Sequence, residues 1–306
     1  YKKNILSTKL YSNNLSFKLM MFLSLISVFV RNHLNSEYFY YACYGLILTF
    51  GIIHGANDIL ILLKDSKKSI NKIMTSTIKY MSVVLIISVF FFSFSSVSLL
   101  FFILFSAYHF GEQQWTIFGS NKSHTISLFY FSFGILIFSI LFSFNPEEVS
   151  KVIYEITSFS VNEDFYEKSL IYISFINLFL FIVNFQILKK QIFHQLALFA
   201  VMLIVFFSYD LLPAFAVYFV FFHSIPSIIE QSEFLFEKSD SLQSFKLFVM
   251  KGLLYWVFAI LFLISLYLIL RNNFDLSLSV LFSFLAAITF PHVLVIYKMK
   301  NKIHNK

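Results

Sequence analysis

Apolar residues along this 306-residue chain neither alternate with polar ones nor repeat along a single helical stripe. They come in blocks of roughly 17 to 25 residues separated by short polar runs, each block long enough to cross about 30 Å of hydrocarbon as a helix. Ten helices are predicted, at 15–31, 38–63, 73–93, 96–119, 125–144, 169–188, 192–209, 211–229, 252–270 and 276–297. Two polar stretches interrupt the series. Residues 145–168 hold Pro146 and six carboxylates and read as a solvated, partly amphipathic segment; residues 230–251 mix Glu and Lys and read as an ordinary loop. With no internal repeat and no Gly/Ser linker, the expected fold class is all-α, a polytopic integral membrane protein with a single transmembrane domain over residues 1–306.

Composition narrows the class. Charged residues make up 13% and hydrophobic ones 58%, whereas soluble domains carry about 25% charge. A soluble globular enzyme and a disordered chain are both excluded. The single cysteine, Cys43, removes disulfides and thiolate metal sites. The net charge of +7 does not point to nucleic acid, because the basic residues stand in short runs beside apolar blocks. With a cytoplasmic N-terminus, nineteen Lys fall on the inner side and only Arg31, Lys151, Lys168 and Arg271 on the outer. That positive-inside bias predicts an even number of spans and two cytoplasmic termini. The sequence begins at Tyr1 without a methionine, so its native start is expected upstream; Lys2, Lys3 and Lys9 read as the lead into a span, not as a secretory signal.

Candidate chemistry lies with the histidines. His33, His124, His194 and His304 fall in loops, at a helix mouth or in the tail, where solvation explains them. His54, His109, His223 and His292 instead fall inside the second, fourth, eighth and tenth predicted helices. An ionisable group within the bilayer is costly unless partnered, which makes each a functional candidate. All four helices run from outside to inside, and the histidines lie at similar depths, roughly 9 to 17 Å from the inner helix ends at 1.5 Å per residue. Four imidazoles at one level could converge on one point; each taken singly is equally well a hydrogen-bonded packing residue.

Their neighbours are polar and small. Asp58 stands four residues after His54 and Glu112 three after His109, so on continuous helices each shares a face with its histidine. A carboxylate on the far ring nitrogen is the usual support of a metal-bound imidazole, and Tyr108, beside His109, joins Asp58 and Glu112 as a supporting residue. Local closure of a buried polar contact is the plainer reading. Gly51 and Gly55 form a GxxxG pattern, which by itself indicates close helix packing. Pro226 and Pro291 flank His223 and His292, and a proline inside a helix frees a carbonyl and permits a kink. Imidazoles without thiolates suit Zn, Cu, Fe or Ni. An all-histidine shell in an apolar cavity suits a ferrous ion, Fe(II), with open positions; paired-histidine haems are the main inorganic competitor.

The strings His54-Gly55-x-x-Asp58, Tyr108-His109-Phe110-Gly111, His223-Ser224 and Pro291-His292, in that order across residues 50–295, resemble the Brp/Blh family of bacterial and archaeal membrane β-carotene 15,15′-dioxygenases. The resemblance implies a multi-pass enzyme of the bacterial inner membrane. It would cleave the central double bond of β-carotene with O2 at histidine-bound iron, yielding two molecules of retinal that often supply a rhodopsin. Carried over by position, His54, His109 and His223 are the iron ligands, and His292 lies at or beside the metal. One position departs: the family tends to place a second histidine four residues after the one matched by His223, and here Ser227 stands there. That departure keeps a second reading open, a relative that binds carotenoid or retinal without cleaving it. A proton-coupled transporter built on the buried His, Asp and Glu lacks support from repeated halves or paired interrupted helices. A haem electron carrier expects histidines at two depths, where the sequence places one. The abundance of Phe and Tyr suits a long apolar polyene in a membrane-level tunnel, although it is also a bias of the whole chain.

Overall fold

The structure is a computed structural model that describes residues 2–64, 69–116, 123–236, 241–270 and 277–304. Of the basic residues used to orient the chain, Lys67, Lys68, Lys122, Lys238, Arg271 and Lys306 lie outside the described residues, as do the end of the fourth expected span (117–119) and the start of the tenth (276). Among the described residues the fold is all-α, with no strand. In hydrocarbon this is expected, because helices satisfy their backbone groups internally.

Fourteen α-helices are described: α1 (Lys2–Arg31), α2 (Ser36–Leu46), α3 (Asp58–Leu62), α4 (Ile70–Ser93), α5 (Ser95–Thr116), α6 (His124–Phe144), α7 (Pro146–Thr157), α8 (Asp164–Val183), α9 (Phe185–Leu188), α10 (Ile192–Ser208), α11 (Leu211–Val217), α12 (Ile225–Phe236), α13 (Ser241–Leu270) and α14 (Ser277–His304). Two π-helical turns, Ile47–Gly51 and Tyr218–Ser224, extend α2 and join α11 to α12. Seven helical stretches among the described residues are long and apolar enough to cross a membrane, at 70–93, 124–144, 164–183, 185–208, 211–236, 242–269 and 279–302. The other expected segments have local explanations. Segment 38–63 is no continuous helix, since a π-turn and a run of tight turns divide it. The segment at α5 carries Glu112, Gln113 and Gln114 in its last turns. Segment 15–31 is the apolar end of α1.

The stretch 145–168, read as solvated and partly amphipathic, carries α7 and the start of α8, whereas 230–251, expected as a loop, is helical wherever it is described. Pro146 occupies the first position of α7 and Glu147 and Glu148 its first turn, a start that needs no proline N–H and complements the helix dipole. Helix α7 stops at Thr157, and the next residue, Ser158, has a left-handed φ of 57°. Farther on, α12 continues to Phe236 and α13 begins at Ser241, because Glu, Gln and Lys are good helix formers.

The chain divides into two compact units. One comprises Tyr1–Gly51, Ala107–Ser150 and Val161–Glu230; the other comprises Ile52–Ser106, Lys151–Ser160 and Gln231–Lys306. In the first, α6 packs along α8, α1 along α10, and α2 against α11, while the two π-turns touch each other. Side-chain hydrogen bonds tie these elements: Asn177 Nδ2 donates to Ser132 Oγ at 2.9 Å, and Tyr209 Oη to Ser27 Oγ at 3.1 Å. Glu148 accepts from the Leu211 amide at 3.0 Å and so covers the start of α11. Gln195 Nε2 donates to the Gln114 carbonyl at 2.8 Å.

In the second unit α14 packs on α3, α4 and α13, with Ile61, Phe234, Val295, Ile296 and Met299 forming a small apolar cluster. Asn57 Nδ2 donates to the Phe248 carbonyl of α13 at 2.8 Å. The Lys64 ammonium donates to the Phe234 carbonyl and lies 3.9 Å from the centre of that residue's ring. Faces of α4, α8 and α13 expose Ile86, Phe92, Phe175, Phe179, Leu254 and Phe258. Apolar surface on this scale is what lipid covers, and it agrees with a membrane protein.

The close approach of α5 and α6 sets one firm expectation. A Cβ on Gly111 would lie 1.9 Å from the Tyr130 carbonyl oxygen, and one on Gly134 1.7 Å from that of Ala107. Both obstacles are backbone, so they cannot swing aside. Gly111→Ala and Gly134→Ala should each destabilise the solubilised protein by about 3 kcal/mol, the upper end for overpacking. Gly45→Ala, with nothing within 4 Å of its added carbon, should melt like the parent. Thermal unfolding in detergent reads all three; unchanged melting of Gly111→Ala would contradict the close contact.

Candidate metal centre

Each unit buries one pair of histidines. In the first, His109 comes from α5 and His223 from the second π-turn, and their rings meet edge to face with centroids 4.8 Å apart. Both are only 2% exposed. The π-turn carries a backbone bond of longer span than α-helical, from the Ile225 N–H to the Val220 carbonyl five residues back, and the Ser224 hydroxyl also donates to the Phe219 carbonyl at 2.8 Å. Such turns widen a helix and recur at functional sites. Pro226, second in α12, follows directly and has no N–H to donate. The His223 ring stacks on Phe219 at 5.6 Å, and Phe219 in turn on Phe215 at 5.2 Å. Gly51 makes room for this stack, since a Cβ there would stand 2.7 Å from the Phe219 ring. Phe110 closes another side of His223 at 4.5 Å.

Gln113 ties this pair together. It lies four residues after His109 on α5, and its Nε2 donates to the His223 carbonyl at 2.9 Å. Glu112 accepts from the Tyr108 hydroxyl at 3.2 Å, both side chains being half-buried.

In the second unit His54 and His292 meet at right angles, with centroids 4.7 Å apart. His54 stands in a run of tight turns, where Gly55 N bonds Ile52 O, Ala56 N bonds Ile53 O and Asp58 N bonds Gly55 O at 3.1–3.2 Å. Sequence spacing alone paired Asp58 with His54 across one turn of continuous helix. With the helix interrupted, Asp58 instead begins α3 and accepts from His292 Nδ1, at 2.9 Å to Oδ1 and 3.1 Å to Oδ2. The Tyr80 hydroxyl of α4 donates to Asp58 Oδ2 at 2.7 Å. Asp58 is 1% exposed, so these donors stand in for water.

The four histidines singled out from the sequence are therefore all buried, and the other four are accounted for locally. His33 Nδ1 bonds the Phe29 carbonyl at 2.8 Å, His194 meets the Phe17 ring edge-on, His124 opens α6 in an exposed position, and His304 closes α14. Gln113 and Tyr80 were not foreseen. Gln113 carried a usable signal in its spacing from His109; Tyr80, one of 17 tyrosines, carried none.

Imidazoles in an apolar surround, one of them backed by a carboxylate, form a donor set that fits a transition-metal ion. His54, His223 and His292 are among the buried side chains that could bind one. A family model described as Beta-carotene 15,15'-dioxygenase matches residues 45–300. The chain belongs to this family. No curated protein and no solved structure matches it. Membership in the β-carotene 15,15′-dioxygenase family carries with it a carotenoid dioxygenase-related function, an oxygenase type of enzyme and a carotenoid substrate in general.

The tie through Gln113 gives a prediction. Gln113→Leu removes the donor to the buried His223 carbonyl but also removes an Oε1 that has no partner among the described residues. The two effects partly cancel, so the loss should be about 1–2 kcal/mol, seen as a lowered melting temperature. A variant as stable as the parent would mean the carbonyl does not depend on this bond.

Proposed function

We propose that this protein is a non-haem iron dioxygenase that cleaves the central double bond of β-carotene with O2 to give two molecules of retinal. The observation that carries the proposal is the family match over residues 45–300, within which all four buried histidines fall. His54, His109, His223 and His292 would hold Fe(II), with Asp58, Glu112 and Tyr108 supporting them. When bound, iron supplies the redox chemistry through which O2 reacts with a polyene.

The chain's own residues then have three tasks. Asp58 orients the His292 ring through its hydrogen bond. Phe110 and Phe219, packed against His223, and Phe215 behind Phe219 keep water from the imidazoles. An apolar interior receives a substrate that is itself dissolved in the bilayer. The overall balance needs no general acid or base: one C=C bond breaks, both atoms of one O2 end as two aldehyde oxygens, and no proton or external electron enters. Both termini are assigned to the cytoplasm of a bacterial inner-membrane protein, and the retinal released into the bilayer would be available to a retinal-binding rhodopsin.

The buried Ser227, 3% exposed, favours a second reading, carotenoid or retinal binding without cleavage. Expression in β-carotene-producing cells distinguishes them. The dioxygenase bleaches the cells and yields retinal, and His54→Ala or His109→Ala abolishes both effects despite normal membrane insertion. A binding protein leaves the cells orange and carries the pigment through purification. Retinal formation by the purified enzyme should also stop on removal of iron with a chelator and return with ferrous ion but not with zinc; activity indifferent to chelation would overturn the iron assignment.

A further inference from the structure

We propose that Tyr80 is a positioning residue which, through Asp58, holds the His292 ring with its proton on Nδ1 and its lone pair on Nε2. Three elements of one unit meet at a single carboxylate: α3 supplies Asp58, α4 supplies Tyr80 and α14 supplies His292. The carboxylate accepts from the Tyr80 hydroxyl at 2.7 Å and from His292 Nδ1 at 2.9 and 3.1 Å. A ring nitrogen that meets a carboxylate carries the proton, so the partner of one nitrogen decides the state of the other. Asp58 alone could choose the tautomer but could still turn about its own side-chain axis. The Tyr80 bond to Oδ2 removes that freedom and supplies a second donor to a carboxylate almost wholly excluded from solvent.

The ring itself is held on its other sides. The His54 ring meets it edge-on, with centroids 4.7 Å apart, and the Gly55 backbone leaves only the room of one methyl group beside Nδ1. Asp58 and the His54 ring thus hold the imidazole from two directions, and Tyr80 acts on it from behind Asp58. The proposed oxygenase chemistry makes no direct use of Tyr80, so its role is exercised through Asp58.

The consequence for metal binding rests on the proposed function, while the tautomer does not, and the experiment separates the two. Full-length protein labelled with 15N-histidine is purified in detergent, and the His292 signals are assigned by their loss in His292→Gln. The parent should show Nδ1 protonated and Nε2 bare; Tyr80→Phe should mix the two tautomers, and Asp58→Asn should abolish the preference. Tyr297→Phe, an exposed tyrosine on the same helix as His292, serves as the control and should change nothing. Cobalt(II) titration of the same samples should show affinity reduced about 10- to 100-fold in Asp58→Asn, the range for loss of a ligand's supporting partner, and reduced less in Tyr80→Phe. A parent with its proton on Nε2, or a Tyr80→Phe spectrum identical to the parent's, overturns the inference whatever cobalt does. A Tyr80-dependent Nδ1 proton in a protein that takes up no metal supports the inference and counts against the proposed function instead.

Discussion

An imidazole or carboxylate removed from water must find its partners inside the protein, and in a membrane-embedded helical fold those partners must come from neighbouring helices. The environment of Asp58 shows the consequence. Its carboxylate is supplied by one short helix, while the two donors that satisfy it arrive from α4 and α14. Breaking such a set by removing one member leaves a buried polar group uncompensated, which costs far more than the hydrogen bond is worth when intact. The position of three elements in that unit is therefore coupled to one acidic side chain. Asn57 adds a further tie to α13 immediately beside it.

Backbone irregularity is the means by which side chains are delivered. His54 sits in tight turns just beyond one π-turn, and His223 sits within another. A regular α-helix offers a fixed 100° step between side chains, whereas a π-turn shifts that phase and a tight turn abandons it. Small residues act where helices must approach: Gly111 and Gly134 bring α5 and α6 to backbone contact, just two residues from His109. The same packing that excludes a methyl group at Gly111 also limits how far His109 can move. These features together yield rings at a fixed separation within each unit.

Much of this was legible in the sequence, and what was not had a physical cause. The apolar blocks identified an all-helical membrane protein because their length matches the bilayer, and burial of exactly those histidines embedded in apolar blocks follows from the same pattern. Pairing was not legible: His109 with His223 and His54 with His292 are long-range contacts, and one sequence carries no direct record of them. Spacing assigned Asp58 to His54 on the premise of an unbroken helix, a premise that hydrophobic periodicity cannot test, since an apolar block looks the same with or without a π-turn. Gly51 and Gly55 matched a helix-packing pattern, and Gly51 makes room for the ring of Phe219. Polar composition at 230–251 suggested a loop, whereas its Glu, Gln and Lys residues are good helix formers and the described part is helical.

Family membership, burial of the four imidazoles and the carboxylate behind His292 support the proposed histidine-bound iron. X-ray absorption at the iron edge, on protein purified from iron-replete membranes, tests it most directly. Stoichiometric ferrous iron in a shell of imidazole nitrogens, with no sulfur and no porphyrin, is the expected result. Protein that carries no iron, or iron held in a haem, would contradict it.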